Sequence, residues 1–284
     1  MDCVNGVNAY HTLDEVCGLL EKGEADEFLT VMEEMARYIF RTDHLMLDCT
    51  ADESSLEEIC SGTGALAGIL PQGRSEQDDL NEYGEAFRVT PVKVKEGFTT
   101  SGQVQYVCRA GNYGNKGCAY TGALRVLRVI LGYDYLWQNV RVKGGAYGCM
   151  SSFSRDGSAY FVSYRDPHLA QTIRTFEEAP AYISGFEADE RTMTKYIIGA
   201  VSTLDHPMSP AVYGKYSLAG YMTGFDEEKL KRERDQVLDC EPQDIRALAA
   251  HIKAFLSEDA LCVVGSAQKL NAESERFERM EKLQ

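Results

Sequence analysis

The sequence predicts an α+β fold, a largely antiparallel sheet packed by helices. Three observations carry that reading. Cys149 to Phe153 and Ser158 to Tyr164 read as strands around Arg155-Asp156-Gly157, and an Asp-Gly turn of this kind closes a β-hairpin. Helical patterns then succeed one another from Asp166 to Ser257 with no strand between them. Strands in pairs and helices in runs exclude the regular alternation of a doubly wound α/β sheet.

Taken in order, Thr12-Leu13-Asp14-Glu15 is a capping-box pattern that starts a helix. Phe28, Met32, Met35 and Ile39 fall on one face of a second helix. Leu45 to Cys49 reads as a short strand, and Ser54-Ser55-Leu56-Glu57-Glu58 opens another helix. From Pro71 to Glu85 the chain turns polar and breaker-rich without periodicity, which marks a linker. The organisation expected is therefore a first block over 1–70, a linker over 71–85 and a fuller domain over 86–284. With two or three helices and one strand, the first block reads as the tail end of a larger domain.

In the second block Val104 to Cys108 reads as a strand. Gly122 to Val140 reads as a buried helix, since Leu124, Leu127 and Leu131 share a face that Val126, Val129 and Ile130 broaden. After the hairpin, Asp166-Pro167 has the N-cap and first-turn residues of a helix whose inner face carries Leu169, Ile173 and Phe176. Further helices are expected over 189–204, 210–223, 227–238 and 242–257. The third of these has Asp226 as cap and Phe225 placed to staple on Leu230. A last strand at Leu261 to Val264 precedes a charged closing helix.

A formal net charge of −15 disfavours phosphate-backbone binding, which needs lysine and arginine to dominate a face. The same balance attracts basic partners or substrates at long range. The nine cysteines are odd in number and none has metal-knuckle spacing, so neither a disulfide framework nor a cysteine zinc site is indicated. The opening residues show no basic region followed by an apolar one, and no stretch is long and apolar enough to span a bilayer. No membrane association is expected, and a reducing cytoplasm is the expected compartment.

Chemistry can be placed by elimination. The histidines, His11, His44, His168, His206 and His251, form neither H-x-x-E-H nor H-E-x-x-H, so no metal site is expected in this chain. No G-x-S-x-G elbow is present, and Cys149 reads as a strand-packing thiol. The run Gly111 to Gly117 lacks the Gly-Lys-Ser/Thr ending of a phosphate loop and reads as a loop after a strand. What remains is Arg141-Val142-Lys143-Gly144-Gly145-Ala146-Tyr147-Gly148, between the buried helix and the hairpin. Paired glycines permit close approach of another backbone, while a fixed cation and a phenol at one point can hold a peptide carbonyl and its oxyanion. A plain Gly-Gly turn beside an arginine is the other reading of these residues.

Tyr133-Asp134-Tyr135-Leu136-Trp137 leading into Arg141 to Gly148, then Tyr164-Arg165-Asp166-Pro167, resembles the presequence-protease branch of the insulinase/pitrilysin inverzincin peptidases. Thr90-Pro91 and Gly111-Asn112 before these motifs, and Asp205-His206-Pro207 with Ser209-Pro210 after them, match the pattern in order. The resemblance implies a clamshell of two halves, each with two related α+β domains of duplicated ferredoxin-like type. The first half carries H-x-x-E-H and zinc. The second supplies an Arg and a Tyr, which map onto Arg141 and Tyr147, with Gly144, Gly145 and Ala146 beside the substrate backbone. Residues 86–284 would then be a complete last domain and 1–70 the end of the third.

The resemblance further implies a zinc-bearing N-terminal half or subunit as partner, an unstructured peptide as substrate and no activity of this chain alone. The chain would be a fragment or truncated product, one subunit of a split peptidase, or a non-catalytic binding relative. The partial first block, with an uncovered apolar surface, adds an expectation of self-association.

Overall fold

A computed structural model of the protein describes residues 7–71 and 94–283; the predicted linker beyond Pro71 and the Thr90-Pro91 pair lie outside them. The chain divides into two compact units, 1–89 with 208–218 and 90–207 with 219–284.

The first unit holds helices α1 (Val7–Lys22), α2 (Asp26–Ile39) and α3 (Glu53–Ile69). Thr12 lies inside α1, which begins five residues earlier, so its capping-box pattern caps nothing. Leu45 to Cys49 forms no strand and follows a single tight turn at Thr42–His44. The cap of α3 is Asp52, which accepts from the Ser55 backbone N–H at 2.9 Å. Hydrogen bonds from Ser54 and from Ser55 hold its carboxyl down to about 2. The apolar stripe of α2 is present but uncovered: Met32 and Met35 are each 47% exposed and Ile39 51%.

The second unit is built on a six-stranded sheet, β1 (Lys95–Thr100), β2 (Gln105–Asn112), β3 (Gly148–Phe153), β4 (Ser158–Asp166), β5 (Ala260–Ser266) and β6 (Arg279–Lys282). The order is β3-β4-β2-β5-β1-β6. The three pairings from β3 to β5 are antiparallel, while β1 joins β5 and β6 in parallel. The parallel additions come from two strands that the pattern did not predict. In β1, Gly97 interrupts the alternation because the Phe277 ring lies 3.1 Å from where a Cβ would stand. The charged tail ends as edge strand β6 after a short helix, α11 (Ala267–Ala272), rather than as a long closing helix.

Helix α4 (Ala123–Ile130) continues as wide turns over Leu131–Tyr135 and Trp137–Val142. It is followed by α5 (Ala170–Ser184), α6 (Glu190–Leu204), α7 (Pro210–Thr223), α8 (Glu227–Leu238), α9 (Pro242–Ala247) and α10 (Ala249–Leu256). The single helix expected over 242–257 is thus two. Asp166 ends β4, and α5 starts only at Ala170. The Asp166 side chain instead accepts from the His168 backbone N–H and the Thr172 hydroxyl, at 2.8 and 2.6 Å.

One sheet face packs on helices. Val107, Phe161, Val263, Leu124, Leu127, Phe176 and Phe255 are fully buried there or within a percent of it. Phe161 meets Phe255 edge-on with ring centroids 5.0 Å apart. The opposite face carries Tyr106, Tyr160, Tyr164 and Cys262, all exposed. The Gly111 to Gly117 run is structural. A Cβ on Gly111 would come 2.2 Å from the Phe255 carbonyl oxygen, and Asn112 donates to the Asp156 carbonyl in the hairpin turn at 3.0 Å.

The hairpin turn is tied down by one buried carboxylate. Glu233, 3% exposed on α8, accepts from Tyr120 at 2.6 Å, from Arg125 and from Arg155 at 2.7 Å. Arg155 also stacks 3.6 Å over Phe225. Burial alone would raise the Glu233 pKa, but these hydrogen bonds outweigh it and hold the carboxyl below its ordinary value. Because the folded value is depressed, the contribution is complete above the ordinary glutamate range and is lost as pH falls through the folded value. Glu233→Gln should cost about 2 to 4 kcal/mol near neutral pH and flatten the acid limb of the stability profile, as read by urea denaturation from pH 7 to 3. An unchanged acid limb would mean that other carboxylates control it.

Candidate functional site

The segment between α4 and β3 is shaped by how the helix ends. Its wide turns close with i→i+5 bonds: Leu136 N–H to Leu131 O, and Lys143 N–H to Gln138 O at 3.0 Å. The Tyr135 hydroxyl donates to the Thr175 carbonyl at 2.8 Å, and the Asn139 amide donates to the Tyr135 carbonyl at 2.8 Å. The widened backbone is therefore satisfied by side chains on both sides. Burial pushes the Tyr135 phenol up to about 12, so it stays a donor.

The chain then reverses in four residues. Gly145 N–H donates to Arg141 O at 2.8 Å, and Ala146 N–H to Val140 O at 3.1 Å. Only glycine fits at 144, since a Cβ there would lie 2.4 Å from Val140 O and 3.0 Å from Asn139 O. Gly145 takes φ +76°, a left-handed conformation open to glycine. Ala146 is 4% exposed and joins the core, which turns its neighbour Tyr147 outward, 66% exposed.

Tyr147 stands at the entrance of the outermost strand. Its backbone N–H reaches Tyr164 O at 3.1 Å and Arg165 O at 3.4 Å. Its ring lies edge-on to Tyr164, with centroids 5.6 Å apart, and Tyr164 in turn meets Tyr106 at 5.3 Å. The Arg165 guanidinium sits 6.0 Å from the Tyr147 ring centroid, and Arg165 itself holds φ +50°. A positive φ on a residue other than glycine is strained, and the two carbonyls that receive the Tyr147 N–H flank it.

Arg141 lies one helical turn beyond Trp137 and stacks over its indole at 3.9 Å. Its charge is felt at Cys149, where burial pushes the thiol up to about 11 while Arg141 acts in the opposite sense. A thiol held that high is not a nucleophile at neutral pH. Arg141, Gly144, Gly145, Ala146 and Tyr147 thus share one short turn, though Arg141 and Tyr147 make no hydrogen bond to each other among the described residues. Trp137, Tyr106, Tyr164 and Arg165 were not assigned from the sequence. The strand alternation that faces Tyr106 and Tyr164 the same way was available to find two of them, whereas the φ of Arg165 leaves no sequence signal.

Among the described residues no three His, Cys, Asp or Glu side chains gather as a metal ion requires. No described helix is long and apolar enough to cross a membrane.

The second unit is an α+β unit with an exposed sheet face, and it presents an arginine and a tyrosine at the head of its edge strand. Residues 95–267 match the family described as the PreP C-terminal domain. Protein HypA of Clostridium perfringens is 39% identical over 240 residues, which are 84% of this chain and 24% of that protein. Presequence protease 1 of Arabidopsis thaliana is 28% identical over 242 residues, 85% of this chain and 22% of its own length. A protease structure from Helicobacter pylori shares the fold at a TM-score of 0.51 and 13% identity, covering 76% of this chain and 53% of that one. The chain belongs to the PreP C-terminal domain family and corresponds to a C-terminal part of presequence-protease-like proteins. It spans about a quarter of the length of the curated relatives it matches.

The geometry of the turn gives a paired test. Gly144→Ala should lower stability by about 1 to 3 kcal/mol, since a methyl cannot share space with the Val140 carbonyl. Gly148→Ala, where nothing lies within 4 Å of the added carbon, should stay within about 0.5 kcal/mol of the parent. Equal unfolding midpoints for the two variants would remove the close approach as the reason for glycine at 144.

Proposed function

We propose that the chain is the non-zinc C-terminal part of an oligopeptide-degrading zinc metalloendopeptidase and lends it Arg141 and Tyr147. What carries the reading is an exposed phenol on a rigid turn beside a guanidinium clamped on Trp137. Exposed reactive groups on a fixed backbone are what pre-organised stabilisation of a developing charge requires. The Tyr147 hydroxyl donates to the scissile carbonyl and to the oxyanion that forms from it. Arg141 holds the substrate backbone or the developing charge, and the backbone of Gly144, Gly145 and Ala146 leaves room for an extended peptide to approach. Zinc and the water it activates come from an N-terminal half or subunit.

On this reading the substrate is a short unstructured peptide, with basic ones favoured by the net charge of −15. A reducing compartment such as the cytoplasm suits its cysteines. The exposed stripe of Leu29, Met32, Met35 and Ile39 on α2 gives the chain a surface for self-association or for that partner.

Two measurements test the reading. The 284-residue chain alone should hold no stoichiometric zinc and cleave no unstructured peptide; one tightly held zinc with chelator-sensitive cleavage would overturn that. Mixed with a zinc-bearing N-terminal half, it should restore cleavage, and Tyr147→Phe should then lower kcat about 100- to 1000-fold with little change in KM. Full activity of the Tyr147→Phe complex would remove the oxyanion role. Binding of the half without any cleavage would place the chain among non-catalytic subunits.

A further inference from the structure

A second site lies within the same unit, on the helical side of the edge strand. A cleft of about 330 Å³ is lined by α4, α6 and β3. Its walls include Arg125, Arg128, Tyr133, Met150, Ser151 and Thr203, and no carboxylate lines it. In a chain of net charge −15, a cleft with two arginines and no acid is a local reversal of sign.

The two arginines differ in what they have left to give. Arg125 is bound to Glu233, which neutralises it. Arg128 is exposed on α4 with no hydrogen bond or ion pair among the described residues. A guanidinium in that state presents a planar fork matched to a carboxylate. Ser151 supplies the second observation. It is 5% exposed, and its Oγ is buried without a hydrogen-bond partner. A buried hydroxyl left unpaired in the wall of a cleft has a proton to give to a group bound there. The Ser202 and Thr203 hydroxyls already donate to the Gly199 and Ala200 carbonyls, each at 2.8 Å. They offer lone pairs to the N–H groups of a ligand rather than to an anion.

The shape follows from a helix contact. A Cβ on Gly199 would lie 3.1 Å from Val129 Cγ1, so glycine lets α6 close on α4 at the floor. Tyr133, 71% exposed, and Met150, 55% exposed, stand as apolar lips.

We propose that this cleft is a carboxylate subsite for a peptide, in which Arg128 and Ser151 bind the carboxylate and Tyr133 and Met150 flank its side chain. The carboxylate is the peptide's C-terminus or an acidic side chain. That the ligand is a peptide rests on the peptidase reading above; the carboxylate chemistry does not.

The test is direct binding to the whole chain, without a zinc-bearing partner, by calorimetry. Three probes are used: N-acetyl-Ala-Leu-Ala as the free acid, the same peptide as its amide, and N-acetyl-Ala-Glu-Ala amide. The free acid should bind at least about tenfold more tightly than its amide. Arg128→Gln should weaken the free acid by a similar factor with an unchanged unfolding midpoint, and Ser151→Ala should weaken it several-fold. If the glutamate amide also binds, the site takes side-chain carboxylates as well as chain ends. Binding is read with no zinc-bearing partner present and so needs no cleavage, which separates failure here from failure of the catalytic reading. Equal binding of acid and amide, insensitivity to Arg128→Gln, or displacement by inorganic phosphate at equal affinity would each overturn the proposal.

Discussion

The approach of the Gly144 backbone to the Val140 carbonyl is the contact on which the candidate site depends. A helix that ends in wide turns must dispose of carbonyls that an α-helix would pair, and here the Arg141 and Val140 oxygens receive Gly145 and Ala146. That closure needs a residue with no side chain at 144 and one with positive φ at 145. Once it is made, Ala146 is carried into the core and Tyr147 is thrown outward at the head of β3. Arg141, still on the helix, keeps its stack on Trp137. The cation and the phenol are held by one backbone manoeuvre rather than by a bond between them.

Much of the second unit was legible because burial there obeys simple periodicities. Asp156-Gly157 marked the hairpin, and Gly157 does take φ +88°. Leu169, Ile173 and Phe176 marked the inner face of α5, and all three are buried. Asp226 marked the cap of α8, and it does cap that helix. What escaped is where a tertiary partner overrides the local pattern. Gly97 breaks the alternation of β1 because the Phe277 ring needs the space, and Asp166 serves a turn and Thr172 instead of a helix start. The Arg-x5-Tyr segment was visible as residues, but the wide turns that aim it were not. No residue spacing distinguishes an i→i+5 turn from an i→i+4 one.

The two units differ in what their apolar residues accomplish. In the second, Phe161, Phe176 and Phe255 interlock at centroid distances of 5.0 to 5.5 Å and leave the Tyr-rich face open. In the first, the stripe on α2 follows helical spacing as faithfully, yet its methionines and isoleucine remain in contact with solvent. Amphipathic patterning alone does not say whether the covering surface belongs to the same unit.

Strand β1 carries a consequence for how the chain reaches this state. Both of its neighbours, β5 and β6, come from the last 25 residues, and the Glu96–Arg279 pair spans 183 positions. Loop closure over that separation must precede any pairing, which makes this part of the sheet the slow, non-local step of folding. On a ribosome that adds roughly 5 to 20 residues per second, β1 emerges about ten seconds or more before its partners exist. During that interval Phe98 has no sheet to join. The nascent chain carries an unpaired strand edge, and its protection falls to a chaperone or to transient contacts with the helices already made.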